Sequence, residues 1–439
     1  MRKVVKFGGS SLASAAQFEK VGNIIHADEE RKFVVPSAPG KRDSKDTKVT
    51  DMLYACYALA EADKDFKAEL KAIAARYQEI IDGLKLDLTL EEEFKIIEKN
   101  FKEKAGSDYA ASRGEYLNGI IMAKYLGFEF IDSATVIFFK DNGDFDAEKT
   151  NNVLSARLSK CESAVVPGFY GAYENGKVKT FSRGGSDITG SIVARAIKAD
   201  VYENWTDVSG ILVVDPRIID NPEVIETITY RELRELSYMG FSVFHEDAIS
   251  PVRQEGIPIN IRNTNAPEDN GTWIVGSTCQ KSKYVITGIA GKKGFCAVNI
   301  EKDKMNSEIG FGRRVLQAFE DNGISFEHVP SGIDTMTVFV HQDEFMHKEQ
   351  KVVAGLHRLA NPDTIDIESD LALIAVVGRG MKSTRGVSGR IFSALAHKNV
   401  NVKMIDQGSS ELNIIIGVAN DDFETAIKAI YDIFVLAQL

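Results

Sequence analysis

Two short stretches set a cation, glycines, hydroxyls and an acid in the order that anion chemistry needs. Lys6-Phe7-Gly8-Gly9-Ser10-Ser11 follows an apolar run and leads into a helical pattern beginning near Leu12. Glycines there let backbone N–H groups approach an anion, and a helix N-terminus adds partial positive charge. The spacing is neither GxxxxGK[ST] nor GxGxxG, so a tight strand-to-helix turn is the competing reading. A second junction repeats the device: Arg183, Gly184, Gly185, Ser186 and Asp187 precede a segment in which Ile188, Ile192, Val193, Ala196 and Ile197 recur at the spacing that buries a helix face. Arg183 carries a planar fork suited to a carboxylate. Ser186 can cap the helix, and Asp187 is placed to hold Mg²⁺ or to orient groups around phosphates.

Other acids and cations stand in less decisive settings. Glu203 through Gly210, followed by Asp215-Pro216-Arg217, reads as a strand end and two turns, the kind of place where open α/β sheets bind ligands. Asp207 there either faces a nucleotide or caps a turn, and Arg217 either reaches phosphates or folds back onto Asp215. Within Arg113-Gly114-Glu115, the Glu115 carboxylate either takes a substrate amine or is solvated.

These residues need a scaffold, and the alternation of elements supplies one. Lys3 to Phe7, Phe33 to Pro36, Ser163 to Val166, Val178 to Phe181 and Ile257 to Ile261 are strand candidates separated by helical patterns. That order predicts an open, mainly parallel α/β sheet covered by helices. Asp51 to Phe130, rich in Ala, Glu, Lys and Leu, predicts several helices elaborating one side of it.

Beyond Ser277 the texture changes. Gly312 to Val340 can be laid over Gly389 to Val418, each copy giving an amphipathic helix, a strand, a polar turn and a second strand. A further helical pattern follows each, His347 to Leu359 and Phe423 to Phe434, and a strand precedes each, Phe295 to Ile300 and Leu371 to Val377. The order is that of a ferredoxin-like βαββαβ unit, present twice. The expected division is 1–283 for the α/β domain, 284–368 for the first repeat and 369–439 for the second. Exposed strand edges on the repeats suggest pairing into a homodimer or homotetramer.

The chain of 439 residues is 44% hydrophobic, as a protein with full cores should be, and 53 basic against 64 acidic residues give a net charge of −11. That balance disfavours nucleic acid and anionic lipid as partners, so an anionic substrate must be met by local cations. No stretch reaches the roughly 20 apolar residues of a membrane span, and the start lacks a secretory h-region. Cys56, Cys161, Cys279 and Cys296 show no CxxC or Cys/His spacing, so no metal-ligating set is expected and a cytoplasmic location is.

KFGGSSLA, SRGE, PGFYG, SRGGSDITG, WTDVSGI and DPR, in this order and followed by a doubled unit, resemble the aspartokinases of the amino-acid kinase family. The resemblance spans essentially the whole chain. It implies ATP- and Mg²⁺-dependent phosphorylation of the side-chain carboxylate of L-aspartate, the first step toward lysine, threonine and methionine, with tandem ACT domains that bind amino-acid end products. By motif, Lys6 matches the catalytic lysine and Asp187 the catalytic-site acid. Gly8, Gly9 and Ser10 match the phosphate loop, and Thr206, Asp207, Leu212 and Arg217 the nucleotide side. Thr50, Glu115, Phe169, Arg183 and Ser186 match substrate contacts. Ser242 stands where many relatives have a lysine, removing one phosphate-side cation. In the first repeat Met305, Asn306, Gly310, Phe311, Ser325, Glu327 and Asp334 surround the expected effector pocket, with lysine preferred over threonine on charge. No fused homoserine dehydrogenase is expected. The alternatives are a kinase for another small acidic amino acid and a non-catalytic amino-acid sensor.

Overall fold

The computed structural model describes residues 1–182, 184–241, 248–278 and 283–437, with the side chain of Ser383 left aside. Arg183, Ser242 and Cys279 therefore lie outside the described residues. The chain divides into two compact units: Met1–Ile211 with Val224–Tyr230 and Ser242–Thr278, and Leu212–Glu223 with Arg231–Phe241 and Cys279–Leu439.

In the first unit, apolar β-branched runs form strands at Lys3–Phe7 (β1), Arg31–Pro36 (β2), Glu129–Phe130 (β3), Ala164–Val165 (β5), Val201–Thr206 (β8), Thr227–Thr229 (β9), Ile259–Asn263 (β10) and Thr272–Val275 (β11). They build an eight-stranded sheet in the order β3-β5-β2-β1-β8-β10-β11-β9, parallel except at the β10–β11 pair. The expected strand at Val178 to Phe181 falls elsewhere. Val178–Thr180 (β7) pairs antiparallel with Tyr170–Tyr173 (β6) in a separate three-stranded sheet that also holds Phe138–Phe139 (β4).

Strand alternation sorts β1 and β8 into two faces. Val5, Phe7 and Trp205 join the core formed with helices Ala15–His26 (α1), Val49–Glu61 (α2), Lys67–Gly83 (α3), Glu91–Lys102 (α4) and Ser107–Leu126 (α5). Lys6 and Asn204 stand side by side in register on the other face, where helix Gly185–Ala196 (α7) lies after helix Ala147–Leu158 (α6). The chain leaves β1 toward β2 on one side, while β8 pairs on the other. The switch in strand order therefore falls at β1/β8, where ligands of such sheets bind beyond the strand C-termini.

The second unit holds most of helix Tyr230–Tyr238 (α8), while the short helix Ser250–Glu255 (α9) belongs to the first. Its sheet is six-stranded, ordered β13-β14-β12-β15-β17-β16, with β12 at Gly288–Glu301, β13 at Phe326–His328, β14 at Thr335–His341, β15 at Thr364–Val377, β16 at Met404–Asp406 and β17 at Asn413–Ala419. Helices Phe311–Glu320 (α10), Gln342–Met346 (α11) and Glu349–Ala360 (α12) serve the first repeat. Val387–His397 (α13) and Phe423–Tyr431 (α14) serve the second. The strands expected at Phe295 and Leu371 are only the second halves of β12 and β15. Each long strand is central to its own repeat, and its first half closes the sheet of the other. The first half of β12, GIAGKKG, is glycine-rich and carries no apolar alternation by which to read it as strand, while that of β15, TIDIESD, alternates only at Ile365 and Ile367 before the polar Glu368, Ser369 and Asp370.

Candidate active site

Lys6, the next-to-last residue of β1, holds its ammonium 2.7 Å from Asp187 Oδ1 in the first turn of α7. Asn204 Nδ2 donates to the same oxygen at 2.7 Å, and the Tyr202 hydroxyl donates to the Asp187 carbonyl at 3.1 Å. Asp187 thus fixes the cation from a helix while β8 fixes Asp187. Asn204 lies inside the ENWTD stretch but was missed by sequence reasoning, because an amide mid-strand gives no signal until its register with Lys6 is known.

The turn after β1 is tied down on two sides. Gly8 N–H donates to the Trp205 carbonyl at 2.9 Å, and Ser11 Oγ shares a 2.8 Å hydrogen bond with Thr264 Oγ1. Here the expected helix start near Leu12 is corrected. Ser10–Leu12 is a single 3-10 turn, and α1 begins at Ala15 with Ser14 capping the Gln17 N–H. Gly8, Gly9 and Ser10 therefore present a backbone turn rather than the end of a long helix. Ser186 is likewise not the cap of α7. Gly184 holds the cap position at φ 58°, and Ser186 lies inside the first turn against Gly168.

Glu115 comes from the opposite face of the sheet, on α5. It is 5% exposed, and its Oε2 has no hydrogen-bond partner. Burial pushes its carboxyl up to about 8, against the pull of the Ala38 N–H, its own backbone, Arg113 and Lys6. The Lys6 ammonium is thus close enough for the two charges to interact. Thr50, in the first turn of α2, brings its Oγ1 to 3.6 Å from where a side chain on Gly114 would begin. Phe169 adopts φ 79°, a conformation costly for a bulky residue, and its N–H donates to Thr189 Oγ1 at 3.0 Å. Backbone strain of this kind collects at ligand sites.

On the expected nucleotide side, Thr206 ends β8 and its Oγ1 meets Asp207 Oδ1 at 3.2 Å, leaving Asp207 exposed. Leu212 and Arg217 belong to the second unit. Arg217 folds back on Asp215, with Nε 3.0 Å from each carboxylate oxygen and Nη2 2.6 Å from Oδ2. Among the described residues, no group of three or more His, Cys, Asp or Glu could hold a metal ion.

Of the effector candidates, Met305, Asn306, Gly310, Phe311 and Asp334 lie at the first repeat's strand-to-helix loop, whereas Ser325 and Glu327 lie toward the opposite end of β14, by Val340 and His341. Met305 is buried in a short turn with Asn306, and Gly310 caps α10 at φ 81° ahead of the buried Phe311. The two acids are engaged rather than free. Asp334 Oδ1 accepts from the Lys304 N–H at 2.9 Å, and Glu327 lies 3.1 Å from His341 Nε2. Ser325 is exposed. In the second repeat a cavity of about 500 Å³ opens at the corresponding loop, lined in part by Met381, Gly386, Val387, Gln407 and Glu411.

Comparison with known proteins sets these features in a family. Residues 1–263 match the model of the amino acid kinase family, and residues 374–434 match an ACT domain. Aspartokinase 3 of Bacillus subtilis is 42% identical over 98% of both chains. The crystal structure of Clostridium acetobutylicum aspartate kinase superposes with a TM-score of 0.88 at 52% identity, covering 98% of this chain and 99% of that one. Escherichia coli aspartokinase III, crystallised with aspartate and ADP, shares the fold at 23% identity and a TM-score of 0.74, over 98% and 99% of the chains. With more than half its length matched by the family model and nearly all of it by a close relative, the chain belongs to the amino acid kinase family, among the aspartokinases.

Proposed function

We propose that this protein transfers the γ-phosphoryl group of ATP to the side-chain carboxylate of L-aspartate, giving 4-phospho-L-aspartate and opening the route to lysine, threonine and methionine. The observation that carries the reading is Glu115: a buried acid with an unpartnered oxygen, near a buried lysine at the strand ends, is a socket for an ammonium group. An α-amine entering there supplies the missing donor and the missing charge together.

The chemistry follows from charge. The aspartate side chain, with a pKa near 3.9 in water, is already ionised, so its attack needs no general base. The obstacle is repulsion between a carboxylate and a triphosphate, and such transfers are catalysed by positioning and charge stabilisation. Lys6, released from Asp187 or shared with it, neutralises the phosphoryl group in flight. Gly9 and Ser10 offer backbone N–H groups to the phosphates, while Gly8, whose N–H is engaged by the Trp205 carbonyl, leaves room for their approach, and Thr206 and Asp207 take the nucleotide. Thr50, Phe169 and Ser186 line the aspartate site, and Arg183 grips its α-carboxylate. Mg²⁺ fits this donor set, because the ion takes few protein ligands and enters with the phosphates, leaving one or two acids such as Asp187 to orient it. When bound, it neutralises charge developing on the β- and γ-phosphates.

The ACT repeats take an amino-acid effector, lysine in preference to threonine, and join copies of the chain into a dimer or tetramer. No helix among the described residues is long and apolar enough to cross a membrane, in keeping with work in the cytoplasm. Incubation with MgATP, hydroxylamine and a panel of amino acids tests the reading. Aspartyl hydroxamate is the expected product. Turnover of glutamate in its place would reassign the substrate, and effector binding without any hydroxamate would make the chain a sensor.

A further inference from the structure

The segment Ser37-Ala38-Pro39-Gly40 threads between the two halves of the site. Toward the phosphate turn, Gly40 N–H donates to the Gly9 carbonyl at 2.8 Å. The two glycines meet backbone to backbone: a Cβ on Gly40 would lie 2.6 Å from the Gly9 carbonyl carbon, and one on Gly9 would lie 2.9 Å from the Ala38 oxygen. Toward the substrate socket, the Ala38 methyl packs on the helix beside Glu115, 2.8 Å from where a Cβ on Gly114 would lie, and the Ala38 N–H pulls the Glu115 carboxyl down. The Pro39 carbonyl accepts from the Val49 N–H at 3.2 Å, which starts the helix that carries Thr50. One irregular segment of four residues beyond β2 therefore touches the phosphate turn, the ammonium socket and the Thr50 helix.

Its two ends are held by side chains no motif singled out. Asn118 Nδ2, one turn beyond Glu115, donates to the Ser37 carbonyl at 2.7 Å. At the other end Arg76, on α3 and 6% exposed, donates from Nη2 to the Gly40 carbonyl at 3.0 Å and from Nη1 to Asp46 Oδ2 at 2.8 Å. Arg42 grips Asp46 from the other side, with Nε at 3.0 Å and its backbone N–H at 2.9 Å. A fork is required here, since one side chain must satisfy a carbonyl and a carboxylate in different directions.

We propose that Arg76 is a positioning residue for both substrates: it locks the Ser37–Gly40 strap so that the phosphate turn and the ammonium socket keep a fixed separation. The inference rests on the kinase reading above and adds a residue to it. Because the strap contacts both sites, its loosening weakens both together. A second signature follows from Glu115, which is faced by Lys6 from β1, Arg113 from its own helix, Tyr54 from α2 and Tyr77 from α3. Losing the Ala38 donor would leave its carboxyl holding its proton to higher pH.

The test uses the full chain with Arg76→Gln and Arg76→Lys. For the Gln variant the KM values of MgATP and aspartate should both rise about tenfold, the scale on which one hydrogen bond from a charged group is lost. The pH below which aspartate KM worsens should move upward. The Lys variant, keeping one cation, should fall between. A change in only one KM, no change in either, or a Lys variant as impaired as Gln at an unaltered unfolding temperature overturns the proposal. If Arg76→Gln does not fold, the Lys variant decides: a joint rise supports the role, and unchanged KM values end it. Wild-type turnover of aspartate in the same assay checks the kinase reading separately.

Discussion

Glu115 sets the energetic character of the site. A carboxyl raised from 4.5 to about 8 by burial binds its proton more tightly in the folded chain than in the unfolded one. Its contribution therefore lowers stability progressively as pH rises through that window. Binding an ammonium reverses the balance, because the ionised form is then the favoured one. Aspartate binding should release close to one proton near neutral pH, and affinity should improve up to about pH 8 and then level. Titration calorimetry in buffers of differing ionisation heat reads the proton count; an uptake of protons would contradict this. Glu115→Gln should remain folded, with thermal stability at pH 8 equal to or above that of the wild type. Its kcat/KM for aspartate should fall about a hundredfold or more, since the partner ammonium loses its counter-charge.

At the scale of elements, the site depends on backbone closeness at the C-terminal ends of β1, β2 and β8. Gly9→Ala forces a methyl to 2.9 Å from the Ala38 oxygen and 3.2 Å from Gly40 N, both backbone atoms that cannot step aside. A loss of roughly 1–3 kcal/mol is expected from denaturant unfolding, together with a rise in KM for MgATP. Wild-type values for both would show that the turn is looser than drawn. Much of this level was legible in the sequence: β1, β2, β10, the helical block and α7 follow from apolar runs and glycine breaks. The shape of the phosphate turn was not, because a 3-10 turn followed by a helix that Ser14 caps and a continuous helix from Leu12 have the same apolar pattern. Nor were Asn204, Asn118 and Arg76, whose roles arise only from register and packing between distant segments.

For the molecule as a whole, the duplicated unit was visible as a repeat, while the exchange of first halves between β12 and β15 was not. Each long strand couples the two repeats through its ladder, so a ligand on one repeat acts on a sheet shared with the other. An effector can shift kinase activity only by binding two states of the protein unequally, and such coupling is reciprocal. Lysine as an inhibitor should therefore weaken aspartate binding, and aspartate should weaken lysine binding by the same factor, both read by equilibrium dialysis. Lysine binding indifferent to aspartate would remove lysine as the regulator.

The proposed role of Lys6, held by Asp187 at the transferring phosphoryl group while Glu115 takes the substrate amine, is tested most directly by following ³¹P resonances under single turnover with MgATP and L-aspartate. The wild-type chain should convert the γ-phosphorus signal into an acyl phosphate. Lys6→Met should bind both substrates yet transfer about a thousandfold more slowly, the scale expected when one charge-stabilising donor is lost. Transfer by Lys6→Met at the wild-type rate would place the chemistry elsewhere and contradict the account.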